Sequence, residues 1–263
     1  MQGPSHQPGS AATRATGDRT TGDRTIGDSD REVGARDRVT RGAATRKGDS
    51  LVLFDLDGTL LRGDSGTRLI VGLLIRSPWR VLVAALLVPF LGPLILIPST
   101  KAAGASGFLW VATVGLPEYR LQQRVQAEAS RTAERKHKLA IPAAWRLLRD
   151  HQAHGHHIVI VTGCWENLAQ PSLQRLGLEG FTLVGSRTRT FLGGYVSYRH
   201  CYGPRKLECL AEHGIHPPWD YAYSDSASDL PVLSQARQPA LVRPSALGLR
   251  TVRQRLSTVV VVR

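Results

Sequence analysis

The chain has 263 residues, of which 42% are hydrophobic, and it carries a formal net charge of +13 at pH 7. Such a length and composition suit one moderate domain with an insertion, or two small domains. Three cysteines without zinc-type spacing exclude a disulfide framework and indicate a reducing compartment. After residue 50, 25 basic side chains outnumber 14 acidic ones, which favours an anionic partner such as lipid headgroups or a phosphorylated substrate. Basic and aromatic residues are not interleaved, so no nucleic-acid partner is expected.

Residues 1–48 are dominated by Gly, Thr, Arg and Asp and contain two copies of the pentapeptide Thr-Gly-Asp-Arg-Thr. Because they have almost no large apolar side chain, burial would not offset the entropy lost on ordering them. They also lack the apolar core of a secretory signal. The sequence therefore predicts a disordered tail. Since Met1 is the only methionine, a start of translation further along the chain is a second hypothesis.

The apolar run of residues 51–54 predicts a short, buried parallel strand. Asp55 and Asp57 follow this strand directly, and Gly58 allows the backbone to come close to a ligand. Loops and helix N-termini converge on ligands at the carboxyl ends of parallel strands. The two carboxylates therefore suit a divalent cation and the phosphorus atom of a phosphate ester.

Residues 81–98 and 102–117 are two uncharged runs of 18 and 16 residues, and Pro89 and Pro93 are expected to interrupt the first. Each run is marginal for a bilayer span, which needs about 20 apolar residues. A single crossing is excluded if the motifs on either side form one site. An even number of crossings, a hairpin dipping into one leaflet and a buried helical pair remain as alternatives. Three basic residues near these runs are placed to meet anionic headgroups: Arg76, Arg80 and Lys101.

The middle of the sequence predicts helices that lead back from the apolar insertion to the core domain, followed by a second strand. Residues 119–154 have the spacing of polar helices with one buried face. Residues 158–161 predict a buried strand that ends at Thr162 and Gly163, followed by a helix over residues 165–176. A hydroxyl and a backbone N–H at a strand tip, next to a helix N-terminus, can bind phosphate oxygens.

The last third of the chain supplies a cation and two further carboxylates. Residues 191–196 predict a hairpin with a glycine turn, and Lys206 is expected in the first turn of the following helix. A cation there would neutralise a nucleophile and a phosphate together. The aromatic strand 221–223 runs into Asp225, which suits the oxygen shell of Mg²⁺. Asp229, one helical turn further on, is placed to orient that shell or Lys206.

These four motifs together resemble those of the haloacid dehalogenase (HAD) superfamily of phosphohydrolases. The matching parts lie within residues 51–245 and are Asp55-Leu56-Asp57-Gly58-Thr59, Thr162, Lys206 and residues 224–231. The last motif and the helical insertion resemble the phosphoserine phosphatase-like branch of the superfamily. The turn over residues 76–80, Arg-Ser-Pro-Trp-Arg, is similar to that of the bacterial phosphatidylglycerophosphatase C type.

The resemblance implies an α/β fold, a Rossmann-like parallel sheet with helices on both faces and a helical apolar cap inserted between the first and second motifs. It also implies a Mg²⁺-dependent phosphatase in which Asp55 attacks phosphorus and Asp57 first donates and then accepts a proton. The Mg²⁺ ligands it implies are Asp55, the backbone carbonyl of Asp57, and Asp225. The groups it places on the phosphate oxygens are Thr162, Gly163 and Lys206, with Asp229 in support.

The predicted organisation has three parts. Residues 1–48 are the disordered tail, and residues 49–64 and 141–263 form the HAD core domain. Residues 65–140 form the helical cap, which also suits a membrane surface.

The substrate is predicted from the insertion and from two departures in the motifs. The insertion is longer than an amino-acid pocket needs, which favours a lipid phosphate such as phosphatidylglycerol phosphate at the cytoplasmic face of the cell membrane. Asp64 is the candidate specificity residue, because phosphoserine phosphatases carry at this position a Glu that contacts the substrate ammonium group. Thr162-Gly163-Cys164-Trp165 stands where the lipid phosphatases more often have Ser-Ala-Ser-Pro.

Two alternatives follow from these features. One is a soluble phosphatase of phosphoserine or another small phosphometabolite. The other is a non-catalytic module that binds membranes or phosphoproteins. Clustered carboxylates argue against the second alternative, since they are costly to keep together without a metal ion.

Overall fold

The computed structural model describes residues 50–97 and 100–263. The predicted disordered tail, residues 1–48, lies outside these residues. Within them the chain forms a seven-stranded sheet with helices packed on both of its faces. The strands are β1 (Leu51–Phe54), β2 (His157–Trp165), β3 (Phe181–Phe191), β4 (Gly194–Arg199), β5 (Trp219–Ser224), β6 (Ala236–Val242) and β7 (Val260–Val262).

Six helices separate β1 from β2 in the described chain, and four more follow β2. The helices that end before residue 140 are α1 (Ser65–Leu74), α2 (Pro78–Leu96), α3 (Lys101–Thr113), α4 (Glu118–Glu134) and α5 (Lys136–Leu139). The others are α6 (Pro142–Ala153), which still precedes β2, α7 (Glu166–Arg175), α8 (Arg205–Glu212), α9 (Leu230–Leu233) and α10 (Ala246–Arg253). A single 3-10 turn, Ala227–Asp229, precedes α9.

The strand order is β4-β3-β2-β1-β5-β6-β7, and all neighbouring strands are parallel except β3 and β4. From β1 the chain adds β2 and β3 on one side and later places β5, β6 and β7 on the other. The order therefore reverses between β1 and β5, and such a switch point opens a crevice at the carboxyl ends of the strands. The backbone N–H of Asp55 donates to the carbonyl of Tyr223 at 2.9 Å and continues the pairing of β1 with β5 up to this crevice.

Successive residues of β1 face two separate apolar layers, because side chains alternate along a strand. Val52 and Phe54 pack with apolar side chains of α1, α4, α6 and α7. Leu53 packs on the other face with side chains of α8, α9 and α10. A strand that is buried on both faces reads as the unbroken apolar run seen in the sequence.

Helices α2 and α3 form an antiparallel pair that is buried unevenly. Gly104 and Gly107 of α3 let the helices approach, since a Cβ atom on either would lie within 2.8 Å of an α2 side chain. On its other side α3 is attached to the β3–β4 hairpin, where Thr113 and Ser106 accept hydrogen bonds from the backbone of β4. In α2, by contrast, only Ala84 is buried.

Three sequence-based expectations need correction. The helix α2 continues through Pro89 and Pro93, because each proline removes one backbone donor without ending the helix. The strand β2 extends to Trp165, with a shift in its pairing with β3 after Val161, so α7 begins at Glu166. The alternative of a buried helical pair is wrong for α2, whose outer face is exposed.

Candidate active site

The site lies at the carboxyl ends of the three central strands β2, β1 and β5. Asp55 follows β1, Asp225 follows β5, and Thr162 lies in the last part of β2. All three side chains line one cavity together with Asp57 and Lys206. The sequence prediction that these motifs form a single cluster therefore agrees with the geometry.

Lys206 is buried between two carboxylates. Its Nζ donates to Asp55 Oδ1 and to Asp229 Oδ2, both at 2.7 Å, and its side chain is only 2% exposed. Ser224 Oγ donates to the same Asp229 oxygen at 2.7 Å. Thr59 Oγ1 donates to the second oxygen of Asp55 at 3.3 Å. Asp229 thus holds Lys206 against Asp55.

The cluster holds more negative than positive charge. Burial raises the pKa of Asp55 more than Lys206 lowers it, and Asp229 and Asp225 add to the rise. Burial also raises the pKa of Asp225, and Asp229 raises it further. For Lys206, burial alone would lower the pKa, but Asp229 and Asp55 together keep it above its ordinary value. One buried lysine therefore balances three carboxylates only in part, which favours an additional cation.

The backbone at Gly58 makes room for Asp225. Gly58 has φ +90°, and a Cβ atom at this position would lie 2.2 Å from Asp225 Oδ2. Only glycine lets the carboxylate approach the loop that carries Asp55 and Asp57. Asp229 Oδ1 is also buried without a hydrogen-bond partner among the described residues. Both features fit an oxygen-lined cradle for a divalent cation.

No group of three or more His, Cys, Asp or Glu side chains suited to a metal occurs within residues 50–97 and 100–263. A Mg²⁺ site at Asp55 and Asp225 would use two carboxylate side chains and a backbone carbonyl. Mg²⁺ usually binds few carboxylates and keeps water and substrate oxygens as its other ligands. The residues present therefore fit this ion.

Asp57 is bound to the start of α1. Its Oδ1 accepts from Ser65 Oγ at 2.6 Å and its Oδ2 accepts from the Ser65 backbone N–H at 3.0 Å. Burial raises the pKa of Asp57 to about 6, although the hydrogen bond from Ser65 opposes the rise. A carboxyl group with such a pKa can exchange a proton near neutral pH.

The remaining predicted residues also lie at this cavity. Thr162 is buried, and its Oγ1 accepts from the Cys164 backbone N–H at 3.0 Å, which leaves its own proton free to be donated. Gly163 and Asp64 line the same cavity. The Asp64 side chain caps α1 by accepting from the Thr67 backbone N–H at 2.6 Å. Asp64 thus has a structural role that the sequence analysis did not assign.

The cavity has a volume of about 660 Å³ and is lined by both polar and apolar side chains. Beyond the carboxylates its walls are apolar side chains of α1, α2 and α3, among them Ile70, Leu74, Val81, Val88, Ala105 and Phe108. Lys101 also lines the cavity, with its Nζ 4.5 Å from the centre of the Tyr202 ring. The cavity thus joins the carboxylates around Lys206 to a stretch with many apolar side chains, and Lys101 is a second lysine in its lining.

Ser65, Arg68 and Glu128 were not identified from the sequence. Ser65 contacts Asp57, Arg68 contacts Ser65, and Glu128 pairs with Arg68. A weak local signal did exist, since Asp64 and Ser65 have the pattern of a helix start. No local pattern links Glu128 of α4 to this group.

The fold and the site define a class, an α/β protein with an acidic site at the switch point of a mostly parallel sheet. The model of the haloacid dehalogenase-like hydrolase family matches residues 52–234. The chain belongs to this family, so the predicted fold class and the prediction of an enzyme of this family are confirmed.

A curated protein from Streptomyces azureus, described as inhibition of morphological differentiation protein, is 31% identical over 134 residues. The aligned segment is 46% of this chain and 47% of that protein. The chain thus spans about half the length of this curated relative.

Solved structures with the same fold include three that cover most of the chain. A protein of unknown function from Bordetella pertussis Tohama I has a TM-score of 0.57 at 22% identity, covering 81% of this chain and 98% of that one. A substrate-bound phosphoserine phosphatase has a TM-score of 0.53 at 13% identity, with coverages of 82% and 94%. Cytosolic 5'-nucleotidase IIIB bound to cytidine has a TM-score of 0.53 at 12% identity, with coverages of 80% and 79%. At these identities the likeness concerns the fold.

Proposed function

We propose that the protein is a Mg²⁺-dependent phosphomonoesterase that acts through an aspartyl-phosphate on Asp55. The observation that carries this proposal is the buried Asp55–Lys206–Asp229 group at 2.7 Å spacing beside Asp225. Lys206 orients one oxygen of Asp55 and neutralises part of the charge that would repel a phosphate. Asp57 lies two residues further on and is not paired with Lys206, so it is available for proton transfer.

The reaction has two steps, and each balances its protons. In the first, an oxygen of Asp55 bonds to phosphorus, the bond from phosphorus to the leaving oxygen breaks, and Asp57 gives that oxygen its proton. In the second, water attacks the phosphorus, Asp57 takes a proton from the water, and the bond between Asp55 and phosphorus breaks to release phosphate. Thr162, Gly163 and Lys206 would stabilise charge on the equatorial oxygens.

Asp55, Asp225 and the backbone carbonyl of Asp57 are the groups that would hold Mg²⁺. When bound, this ion would neutralise phosphate charge and favour nucleophilic attack. The buried, closely spaced carboxylates support this assignment. Gly58 supports it too, because the absence of a Cβ atom there leaves room for the Asp225 carboxylate.

For the substrate we propose a lipid phosphate such as phosphatidylglycerol phosphate, and a relation to the phosphatidylglycerophosphatase C type. Support comes from the cavity, which continues from the carboxylates into a channel walled by α1, α2 and α3. An acyl chain would bury apolar surface there. Lys101 lies on the wall of this channel, where it would attract a second anionic group such as the phosphodiester of a phospholipid.

We further propose that the cap, residues 65–140, rests on the cytoplasmic face of the membrane through α2. Pro78–Leu96 is the one helix among the described residues that is long and apolar enough to cross a bilayer, and only 6% of it is buried. A second crossing by α3 is disfavoured, since α3 has 13 residues and is attached to the β3–β4 hairpin. Docking of α2 in the plane of one leaflet accounts for both facts. The three buried, free thiols support a reducing compartment.

The alternative substrate is phosphoserine or another small phosphometabolite. The observation that favours it is Asp64, whose carboxylate lies at the polar end of the cavity, where it would attract an ammonium group. In that case the apolar channel would take no part in substrate binding.

The phosphatase proposal is tested with Asp55→Asn and the exposed matched control Asp150→Asn. We expect phosphate release from p-nitrophenyl phosphate with Mg²⁺ to fall by about a thousandfold or more in the first variant, since the nucleophile is lost. Circular dichroism and urea unfolding should show that both variants fold. Wild-type activity in Asp55→Asn would contradict the mechanism.

The substrate proposal is tested with Ala105→Phe, which narrows the cavity at a residue of its apolar lining. We expect kcat/KM for long-chain phosphatidylglycerol phosphate and phosphatidic acid in micelles to fall about tenfold or more, because the channel no longer admits an acyl chain. Activity on p-nitrophenyl phosphate should change little. Hydrolysis of phosphoserine but of neither lipid by the wild-type protein would support the alternative.

A further inference from the structure

A chain of polar contacts connects the proton-transfer residue Asp57 to the cap helix α4. Ser65 Oγ donates to Asp57 Oδ1 at 2.6 Å, and Arg68 Nη2 donates to Ser65 Oγ at 2.7 Å. Arg68 Nε in turn lies 3.5 Å from Glu128 Oε1 of α4. Ser65, Arg68 and Glu128, from two helices, are therefore connected in series to the carboxylate of Asp57, which transfers a proton in both steps of the proposed reaction.

The direction of both side-chain hydrogen bonds, from Arg68 to Ser65 and from Ser65 to Asp57, follows from the chemistry of the groups. A guanidinium group can only donate, so Ser65 Oγ accepts from Arg68 and has one proton left. At 2.6 Å that proton points to Asp57. The backbone N–H of Ser65 donates to the other Asp57 oxygen at 3.0 Å, so both carboxylate oxygens are held by one residue.

Arg68 itself is held in place. Its Nη1 donates to the carbonyl of Arg62 at 3.2 Å, and Glu128, which is 9% exposed, supplies the countercharge. Glu128 is also shared with Arg131 at 3.6 Å. A buried acidic residue needs such partners, and its position on α4 ties the arrangement to the cap.

We propose that Ser65 and Arg68, backed by Glu128, are positioning residues that fix Asp57 for protonation of the leaving group. This inference rests on the proposed phosphatase function. Both residues act through Asp57 and are not expected to touch the phosphate. Their loss should therefore matter most for substrates whose leaving oxygen needs a proton.

The test compares leaving groups of different basicity. For Ser65→Ala and Arg68→Ala, kcat/KM is measured on p-nitrophenyl, phenyl and n-hexyl phosphate, since this parameter reports the step in which the leaving group departs. We expect a loss of about 100-fold on n-hexyl phosphate, the size typical of general acid catalysis, and a loss within about threefold on p-nitrophenyl phosphate. The dependence of log kcat/KM on leaving-group pKa should become steeper.

Two further variants complete the test. Ser65→Thr keeps the hydroxyl and should restore activity on n-hexyl phosphate, whereas the exposed Arg124→Ala on α4 serves as the control and should leave the leaving-group dependence unchanged. Equal losses on all three esters, or no loss, in Ser65→Ala and Arg68→Ala would overturn the positioning role. A wild-type protein that hydrolyses none of the esters would instead contradict the proposed function, and this inference with it.

Discussion

At the scale of single residues, the site depends on side chains that would be unfavourable elsewhere. Lys206 is a buried cation, Asp55 and Asp229 are its buried counterions, and Gly58 has a backbone conformation that side chains disfavour. Removing one member of a buried ionic group leaves the others uncompensated. Each of these residues is therefore explained by the chemistry it allows and not by a gain in stability.

The change Gly58→Ala tests the cradle for the cation. A Cβ atom would lie 2.2 Å from Asp225 Oδ2, so the carboxylate must move away from the loop. We expect the Mg²⁺ concentration for half-maximal activity to rise about 10- to 100-fold, the range seen when metal sites lose their supporting contacts.

Gly177→Ala is the matched control for this change. Gly177 has φ +83°, close to that of Gly58, but nothing lies within 4 Å of its missing Cβ. It should lower stability by a similar amount and leave the Mg²⁺ dependence unchanged. An unchanged Mg²⁺ dependence in Gly58→Ala would show that Mg²⁺ binding does not require Asp225 at its present position.

At the scale of elements, helix α6 is joined to the central strands through a buried histidine. His151 Nε2 lies 2.8 Å from Tyr223 Oη, and its Nδ1 lies 2.8 Å from His156 Nδ1. Burial lowers the pKa of His151 from 6.5 to about 4, and His156 adds to this effect. The folded protein therefore keeps His151 neutral at pH values where the unfolded chain would protonate it.

This difference predicts a pH-dependent stability. Between pH 6.5 and 4 the unfolded chain binds more protons at His151 than the folded chain does. The free energy of unfolding therefore falls as the pH decreases through this range, and the contribution of His151 is fully present above it. We expect His151 to contribute about 1–2 kcal/mol to the loss of unfolding free energy between pH 7 and pH 5.

Urea unfolding of His151→Gln at several pH values measures this contribution. The variant should lose that part of the pH dependence, whereas His137→Gln, at an exposed position on α5, should retain it. Parallel pH profiles for the wild type and His151→Gln would rule the contribution out.

The elements also show how far sequence patterns extend. Apolar runs predicted β1 and β2, and glycines predicted the β3–β4 hairpin, because these signals are local. The end of β2 was missed because Trp165 pairs with Ser186 of β3 beyond a shift in register, which no local pattern indicates. Likewise, Pro89 and Pro93 suggested an interruption that the helix α2 does not have.

At the scale of the whole molecule, the core does not explain the exposed apolar face of α2. Leu82, Leu86 and Phe90 are 62%, 64% and 72% exposed. Exposed apolar side chains grouped on one helix mark an interaction surface, and this helix also walls the catalytic cavity. Under the proposed docking of α2 on a membrane, a lipid substrate in the bilayer would have a short path to Asp55.

The double variant Leu82→Asn, Leu86→Asn tests this surface. Because both residues are exposed, we expect no loss of folding, but co-sedimentation with vesicles of phosphatidylglycerol and phosphatidylcholine should weaken about tenfold or more. Leu247→Asn is the matched control, since Leu247 is 75% exposed but lies on α10 and not on α2. Equal vesicle binding by all three proteins would contradict docking through α2.

The sequence by itself determined the main elements of the core sheet and placed Asp55, Thr162, Lys206 and Asp225 in one cluster. It could do so because apolar periodicity is local and because the carboxyl ends of parallel strands always meet at one edge. It also offered two partners for Asp229, the metal shell or Lys206, and the fold places Asp229 on Lys206 at 2.7 Å.

Only the tertiary structure decided what surrounds this cluster. Lys206 is 151 residues from Asp55, and α3 meets a hairpin more than 80 residues away. The contact between Arg68 and Glu128 and the channel between α1, α2 and α3 likewise depend on how the helices pack. Such contacts form between groups that no sequence period relates, because the packing of the whole chain sets their distance.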